Sequence, residues 1–353
     1  MPTVHYIAMD THSYSSDICV KTRANGPARK WRVETTIPAI RAVIESIKRP
    51  RHLAFEEGPL AGWLYRNLKE DVDRALVCDP RKNAWISKGS DKDDPIDADK
   101  LADLLAGGFL KEVHQSQDVS REVFKQLVGR YHERVSRRVS EGNKIIGWLR
   151  RWGVMVTACA FEEKSARPQL LKQLPAGAEL DPVRRGLEVM LGGYDQIIKQ
   201  EIRLRRELIK SAKKEEFIVR LEALPGISWI RASTFFVYLD TPWRFENKSA
   251  LWRYMGIGLK RASSGSGPQV LRVDQAVNKR LKAIIIGAAK TIIRNNHPDD
   301  PFARRYQQWK EAGLTLPNAR RNVARSLASV AWGMWKSGGA YDPARVGISA
   351  SSE

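Results

Sequence analysis

The first 110 residues alternate apolar and polar positions in short runs, whereas later residues follow helical spacing. In the first part, apolar runs bounded by polar turns predict strands, and Ile and Val at helical spacing predict helices. The predicted strands are residues 4–10, 15–21, 29–35, 52–55 and 75–78, and the predicted helices are residues 37–48, 60–68 and a segment that follows Pro95.

Three meandering strands followed by alternating helices and strands is the element order of a ribonuclease-H-like (RuvC-like) fold. The pattern changes beyond residue 118, where two long charged stretches with few helix breakers predict a pair of antiparallel helices, a coiled coil that could pair subunits. We therefore expect an α/β plus α chain. Its predicted parts are a RuvC-like domain at 1–115, a helical dimerisation region at 116–215, a mostly helical domain at 216–340 and a flexible tail at 341–353.

Charge changes this picture, because it is unevenly placed. The chain carries a formal net charge of +20, yet residues 1–110 hold 17 basic and 16 acidic residues, which leaves 43 basic and 24 acidic residues for the rest. A neutral front and a strongly basic rear favour a polyanionic partner, held mainly by the rear. The apolar runs are too short to cross a membrane, no secretory leader is recognisable, and three scattered cysteines fit a reducing cytoplasm.

Acidic residues stand where the predicted elements of the front domain end or begin. Asp10 closes the first strand, Glu56 closes the fourth, and Asp94 and Asp97 open the later helix three residues apart. Phosphoryl transfer with two magnesium ions needs carboxylates that converge from several elements. These four residues are therefore candidate metal ligands and catalytic groups.

Each acid also has a structural interpretation. An Asp at a strand end can start a turn, and Asp94-Pro95-Ile96-Asp97 is typical of a helix N-terminus. Glu56 and Glu57 compete for one role, and Glu56 is favoured because it directly follows the apolar strand. Asp99 is close enough to be mistaken for a ligand.

In the basic rear, residues 224–227 (Leu-Pro-Gly-Ile) predict a tight turn before a helix that starts near Ser228. Such a helix start can bind a DNA phosphate through backbone N–H groups, although a plain packing turn has the same pattern. Tryptophans such as Trp243 and Trp309 could stack on bases, but we expect most of them in the core.

A glycine-rich and serine-rich loop at residues 256–268 follows, and a basic helix comes after it. A serine attacks phosphorus only where cations clamp the phosphate and the hydroxyl loses its proton. Taken alone, the Ser-Gly-Ser-Gly pattern is more often a flexible loop. The candidate residues are the serines Ser263, Ser264 and Ser266 and the nucleic-acid-binding cations Lys260, Arg261, Arg272, Lys279 and Arg280.

These motifs together resemble the bridge-RNA-guided (DEDD) transposases of bacterial insertion sequences, the insertion-sequence 110 family. The strand before Asp10 is similar to that family's first motif, and residues 92–98 (Lys-Asp-Asp-Pro-Ile-Asp-Ala) match its Lys-x-Asp-x-x-Asp-Ala. Glu56 is followed by Glu57-Gly58 where the family usually has Ala-Thr-Gly. Residues 224–227 and the stretch from Gly256 to Gly265 match its rear motifs.

The resemblance implies a DNA transposase in which Ser264 attacks DNA to form a phosphoserine intermediate beside carboxylate-bound Mg²⁺. It also implies donor and target double-stranded DNA and a non-coding bridge RNA as partners. A homodimer that assembles into a tetramer, at the bacterial nucleoid in the cytoplasm, would complete the site. Two other functions remain open: a RuvC-like nuclease or junction resolvase in which the rear only binds DNA, and a nucleic-acid-binding protein without catalysis.

Overall fold

A computed structural model describes residues 2–80, 94–175, 177–262, 270–273 and 277–346, with only the backbone for residues 94–96, 179, 260–262, 270–273 and 345. It divides into two compact units, Met1–Val119 and Ser120–Glu353. The finer division of the chain into four parts stays a prediction. In the described part of the chain, no helix is long and apolar enough to cross a membrane.

The first unit is a mixed five-stranded sheet with helices on both faces. Its strands and helices are, in chain order, β1 (His5–Thr11), β2 (Ser15–Lys21), β3 (Arg29–Glu34), α1 (Ile37–Glu45), β4 (Arg51–Glu56), α2 (Ala61–Leu68), β5 (Arg74–Cys78) and α3 (Asp94–Ala106). The sheet order β3-β2-β1-β4-β5 is that of ribonuclease-H-like folds, and β2 runs antiparallel to the other four strands. The predicted fold of this unit is confirmed in its sheet order.

Side-chain alternation along the strands separates the two faces of this sheet. Ile7 and Met9 of β1 pack with apolar residues of α1 and α2, whereas Ala8 packs with Ala98 and Leu101 of α3. Helix α1 begins where the Thr36 hydroxyl accepts a hydrogen bond from the Ala39 amide. The central strand β1 is therefore buried on both faces, and only its ends are open to solvent.

The second unit is mostly helical. Its α-helices and strands are, in chain order, α4 (Val119–Arg150), α5 (Cys159–Glu162), α6 (Arg167–Leu171), α7 (Asp181–Ala212), α8 (Glu216–Glu222), α9 (Trp229–Leu239), α10 (Lys248–Tyr254), β6 (Leu259–Ala262), β7 (Val270–Val273), α11 (Lys279–Asn295), α12 (Pro301–Glu311) and α13 (Leu316–Ser337). The predicted mostly helical rear is confirmed. The strand pair β6–β7 was not predicted, because four-residue strands between glycines carry too few positions to show alternation.

Helices α4 and α7 are antiparallel, as the sequence predicted. Arg138 of α4 bonds to Glu201 of α7 at 2.8 Å, and further along α4 the positions of Gly142 and Trp148 adjoin Tyr194 and Gly186. Apolar side chains are buried near both ends of the pair, but residues 129–141 and 195–207 contain none that is fully buried. The apolar packing between the two helices is therefore concentrated near the ends of the pair, with the Arg138–Glu201 ion pair between them, and a coiled coil that pairs subunits stays a prediction.

Candidate active site and nucleic-acid interface

Asp10 and Glu56 lie next to each other at one end of the sheet. The parallel register pairs Met9 of β1 with Phe55 of β4, so the following residues, Asp10 and Glu56, occupy neighbouring positions. Asp10 is two residues after Ala8, and Glu56 is two residues after Ala54. Residues two positions apart in a strand lie on the same face, and the side chains of Ala8 and Ala54 lie on the α3 face. The sheet therefore presents these two carboxylates side by side on the face that α3 covers, which the sequence could not show.

Helix α3 is held on this face by a buried lysine. The ammonium of Lys21, a residue that is only 3% exposed, lies 2.7 Å from Asp103 and 3.0 Å from Asp99. Asp99 also adjoins Cys19, and Asp103 accepts a bond from the Asn25 amide. Going from Asp99 to Asp103 along α3 thus follows β2 from Cys19 toward Asn25. Since β2 is antiparallel to β1, α3 begins at the end of the sheet where Asp10 and Glu56 lie.

The contacts of Asp99 give it a structural role. Burial would raise the pKa of this carboxyl, but hydrogen bonds from Lys21 and Cys19 outweigh burial and hold its pKa below the ordinary value. Burial, and then Asp99, raise the pKa of the Cys19 thiol to about 12. Asp99 is therefore a charged group that docks α3 through Lys21 and Cys19 on β2, with the Lys30 ammonium of β3 3.8 Å away.

The four candidate carboxylates are brought together only in part. Asp94 is the first residue of α3, with its side chain outside the described residues, and Asp97 is exposed. Asp10 lies 3.3 Å from the imidazole Nε2 of His12. Among the described residues, no three His, Cys, Asp or Glu side chains are close enough to hold one ion.

A cleft of about 620 Å³ opens at this end of the sheet. Its lining combines the segment from Asp10 to Ser15 with the segment from Glu56 to Ala61. It therefore joins the end of β1 to the turn that follows β4, with Asp10 and Glu56 on its wall. The cleft gives a phosphate group access to both carboxylates.

Asp17 is an acid that the sequence analysis missed. It lies directly opposite Asp10 in the antiparallel pair β1–β2, so its side chain is on the same face. Asp17 is 5% exposed, and its Oδ2 accepts no hydrogen bond, with the Arg32 guanidinium 3.8 Å away. Alternation in SSDICVK placed Asp17 on one face of a strand, but only the strand register reveals that it faces Asp10.

In the second unit, the turn at residues 224–227 is a site of close backbone packing. Gly226 has φ +72°, and a Cβ built there would lie 2.6 Å from the Ala288 carbonyl oxygen of α11. Arg231 donates to the Gly226 carbonyl and to Thr291, which fastens the turn to α11. The predicted tight turn and the helix start are confirmed, and Ser228 caps α9. Phosphate binding at this helix start stays a prediction.

The candidate serines belong to the connection between β6 and β7. Ser263, Ser264 and Ser266 lie outside the described residues, whereas the strands on either side pair antiparallel, with Lys260 opposite Arg272. The approach to β6 is fixed from α13, since Arg325 donates to the Ile257 carbonyl at 2.7 Å. The serine segment therefore connects two paired strands, and Arg325 of α13 holds the residues just before the first of them.

The cations near the serine segment have different surroundings. Lys279 is exposed at the start of α11, whereas the half-buried Arg280 donates to the Tyr238 hydroxyl. Arg261 and Lys260 are described by their backbone alone. The ammonium of Lys279 is thus accessible to a phosphate, and the guanidinium of Arg280 is engaged within the protein.

The tryptophans from Trp229 to Trp335 pack against the main core of the second unit, with one exception. Trp332 is buried, and Trp229, Trp252, Trp309 and Trp335 are partly buried against the same core. Trp243 is 71% exposed, with the Lys336 ammonium 5.1 Å from its ring. An exposed indole beside a lysine is a suitable stacking surface for a base.

His132 of α4 is a neutral histidine inside the second unit. Its Nε2 lies 2.8 Å from the Thr234 hydroxyl. Burial, and then the positive charge of Arg280, lower the pKa of His132 to about 4. At neutral pH the ring is therefore uncharged.

This shifted pKa predicts acid sensitivity of the second unit. An unfolded histidine takes up a proton near pH 6.5, but the folded one does so only near pH 4. The free energy of unfolding should therefore fall as pH drops from 6.5 toward 4, by about 2 kcal/mol at pH 5 from this group. Urea unfolding at pH 7 and pH 5 measures it, and His132→Gln should remove this part of the decrease. An equal decrease in the variant would assign the sensitivity to other groups.

Comparison with known proteins finds similarity to transposases. Residues 219–307 match the family described as Transposase IS116/IS110/IS902. A protein of Sinorhizobium fredii named as a candidate transposase (y4pF/y4sB) is 21% identical over 272 residues, which is 75% of this chain and 67% of the relative. The transposase for insertion sequence element IS1111A of Coxiella burnetii is 22% identical over 210 residues, which is 58% of this chain and 56% of the relative.

The matched segment runs from α8 to α12, so it contains the Gly226 turn, both short strands and the serine segment between them. Residues 219–307 are therefore similar to the IS116/IS110/IS902 transposase family, and the similarity to the two named transposases extends beyond that segment.

Proposed function

We propose that this chain is a Mg²⁺-dependent DNA transposase of a bacterial insertion sequence, which cuts and rejoins donor and target DNA. The observation that carries the proposal is the register that sets Asp10 beside Glu56 at the end of the sheet where α3 begins. The transposase family match of residues 219–307 supports the same chemistry in the rear.

The chemistry of the residues at this end fits a magnesium site. Asp10, Asp17 and Glu56 offer carboxylate oxygens on one face, and Mg²⁺ prefers such hard oxygen ligands. The buried Asp17 oxygen accepts no hydrogen bond and has the Arg32 guanidinium 3.8 Å away, so a closer cation would stabilise it further. Asp94 and Asp97 would add ligands from the first turn of α3. Bound Mg²⁺ would stabilise negative charge on the oxygens of the reacting phosphate.

In this proposal Ser264 supplies the nucleophile. Its Oγ would form a bond to phosphorus while the bond from phosphorus to a sugar oxygen breaks, and the hydroxyl proton would leave to a base. The serine and the carboxylates would form one composite site in an assembled dimer or tetramer. The excess of basic residues after residue 110 supports large polyanionic partners, namely two DNA duplexes and a guide RNA.

The neighbouring acids Glu56 and Glu57 provide a matched test of the carboxylate site. Glu56→Gln should reduce strand joining at least about 100-fold, because it removes a charge from the face of Asp10. Glu57→Gln should retain joining, since Glu57 follows the last residue of β4 and the strand register does not set it beside Asp10. The measurement is joining of the element to target DNA in cells, with protein levels compared by immunoblot.

A second measurement separates metal binding from turnover. Mg²⁺ should raise the unfolding temperature of the wild-type protein, and Asp17→Asn or Glu56→Gln should reduce that rise, with Glu57→Gln unchanged. Equal joining by Glu56→Gln and wild type would overturn the carboxylate site. Magnesium-dependent cutting that survives Ser264→Ala would instead favour the RuvC-like nuclease.

A further inference from the structure

A second cavity of about 490 Å³ lies at the opposite end of the sheet from Asp10 and Glu56. It is formed by the start of β1, the end of β2, the start of β3 and the segment after α1. We call it the basic cavity, and its polar lining consists of His5, Lys21, Thr22, Arg29, Ser46 and Lys48.

The basic cavity concentrates positive charge in a unit that is otherwise nearly balanced. Four of its lining residues are Lys, Arg or His and none is acidic, although residues 1–110 hold almost equal numbers of basic and acidic residues. Lys21 is paired with Asp99 and Asp103, so the available charge comes from Arg29 and Lys48, which are both exposed. The local excess of cations therefore faces the solvent side of the cavity.

An unsatisfied polar atom adds to this picture. The Nδ1 atom of His5 is buried and has no hydrogen-bond partner among the described residues. A buried polar atom without a partner is costly, and His5 is one of the residues that line the cavity. The Thr22 and Ser46 hydroxyls also line the cavity. Cations together with neutral donors are the chemistry that binds a phosphate.

We propose that the basic cavity binds one backbone phosphate of a nucleic acid, while a second phosphate of the same molecule reaches Asp10 and Glu56 at the other end of the sheet. This inference rests on the proposed function. His5 and Asp10 are five residues apart on one strand, about 17 Å at roughly 3.3 Å per residue. One strand of a duplex winds around the axis as it advances, so two of its phosphates at this separation would be only a few nucleotides apart. The front unit would then hold the substrate at two points.

The test compares two charge-matched double variants of the full chain. Arg29→Gln/Lys48→Gln removes two exposed cations from the basic cavity, and Arg74→Gln/Lys111→Gln removes two exposed cations of the same unit that do not line it. The probe is a fluorescent 30-base-pair duplex, with anisotropy measured at several salt concentrations.

In the cavity variant, we expect the negative slope of the logarithm of the binding constant against log salt to become shallower by about 1 to 2. Binding in 0.1 M salt should be about tenfold weaker for each cation that no longer reaches a phosphate. The control variant should keep the wild-type slope. Equally weakened binding in both variants, or unchanged binding in the cavity variant, would overturn the proposal.

Two further comparisons distinguish this proposal from a site for a small phosphate ligand and from the proposed catalytic site. If the cavity variant no longer binds inorganic phosphate but binds the duplex as wild type does, the cavity holds a small phosphate ligand and the backbone proposal is wrong. A cavity effect together with normal strand joining by Glu56→Gln would refute the proposed catalytic site and leave the cavity standing as a nucleic-acid contact.

Discussion

Wild-type protein expressed with its element and flanking DNA should become covalently attached to DNA, and Ser264→Ala should form no such adduct. Removal of a nucleophile eliminates the covalent step itself, so strand joining should fall at least about 1000-fold, or roughly 4 kcal/mol in activation free energy. The measurement is a denaturing gel of cell extracts, in which nuclease treatment should convert the slow species to free protein.

Ser263→Ala is the matched control, since Ser263 adjoins Ser264 in the same segment between β6 and β7. It should keep the adduct and most of the joining. An adduct that persists in Ser264→Ala and disappears in Ser263→Ala would move the nucleophile by one residue and leave the serine chemistry intact. Joining without an adduct in wild type would reject the covalent intermediate.

The sequence predicted the front sheet well because its strands are short, alternate clearly and end in polar turns. Asp10 and Glu56 were identified from their positions after apolar runs, and the sheet then brought them to adjacent places. Asp17 was missed because strand pairing is a long-range property, and a sequence pattern gives the face of a residue without its neighbour on the next strand.

Spacing alone could not show which acidic residues of α3 are candidate metal ligands and which form ion pairs within the fold. Asp97, Asp99 and Asp103 belong to one acidic helix, but Lys21 on β2 takes Asp99 and Asp103 into ion pairs. That assignment depends on a lysine about 80 positions earlier in the chain, which is packed against α3 and almost fully buried. Local pattern identifies candidate ligands, and only tertiary packing shows which carboxylates are committed to the fold.

The turn at residues 224–227 shows how one motif can have both structural and functional interpretations. The sequence allowed a phosphate-binding helix start or a packing turn. The structure gives the packing role a direct physical basis, because Arg231 and Gly226 join the turn to α11. Helix α11 follows β7 in the chain, so this packing also fixes the helix that comes after the serine segment.

Gly226→Ala should therefore destabilise the second unit by about 2–5 kcal/mol. An alanine at φ +72° has an unfavourable backbone conformation, and its Cβ would lie 2.6 Å from the Ala288 oxygen, so α9 or α11 must shift. Urea unfolding followed by tryptophan fluorescence measures the destabilisation, because Trp229, Trp252 and Trp335 pack against this core.

Gly313→Ala separates the two causes. Gly313 has φ +82°, but a Cβ there would meet nothing within 4 Å, so its substitution should cost only the backbone penalty of about 1–2 kcal/mol. The excess destabilisation in Gly226→Ala then measures the close approach between the turn and α11. Equal destabilisation in the two variants would show that α11 yields to the added methyl group, and the turn would no longer explain where that helix lies.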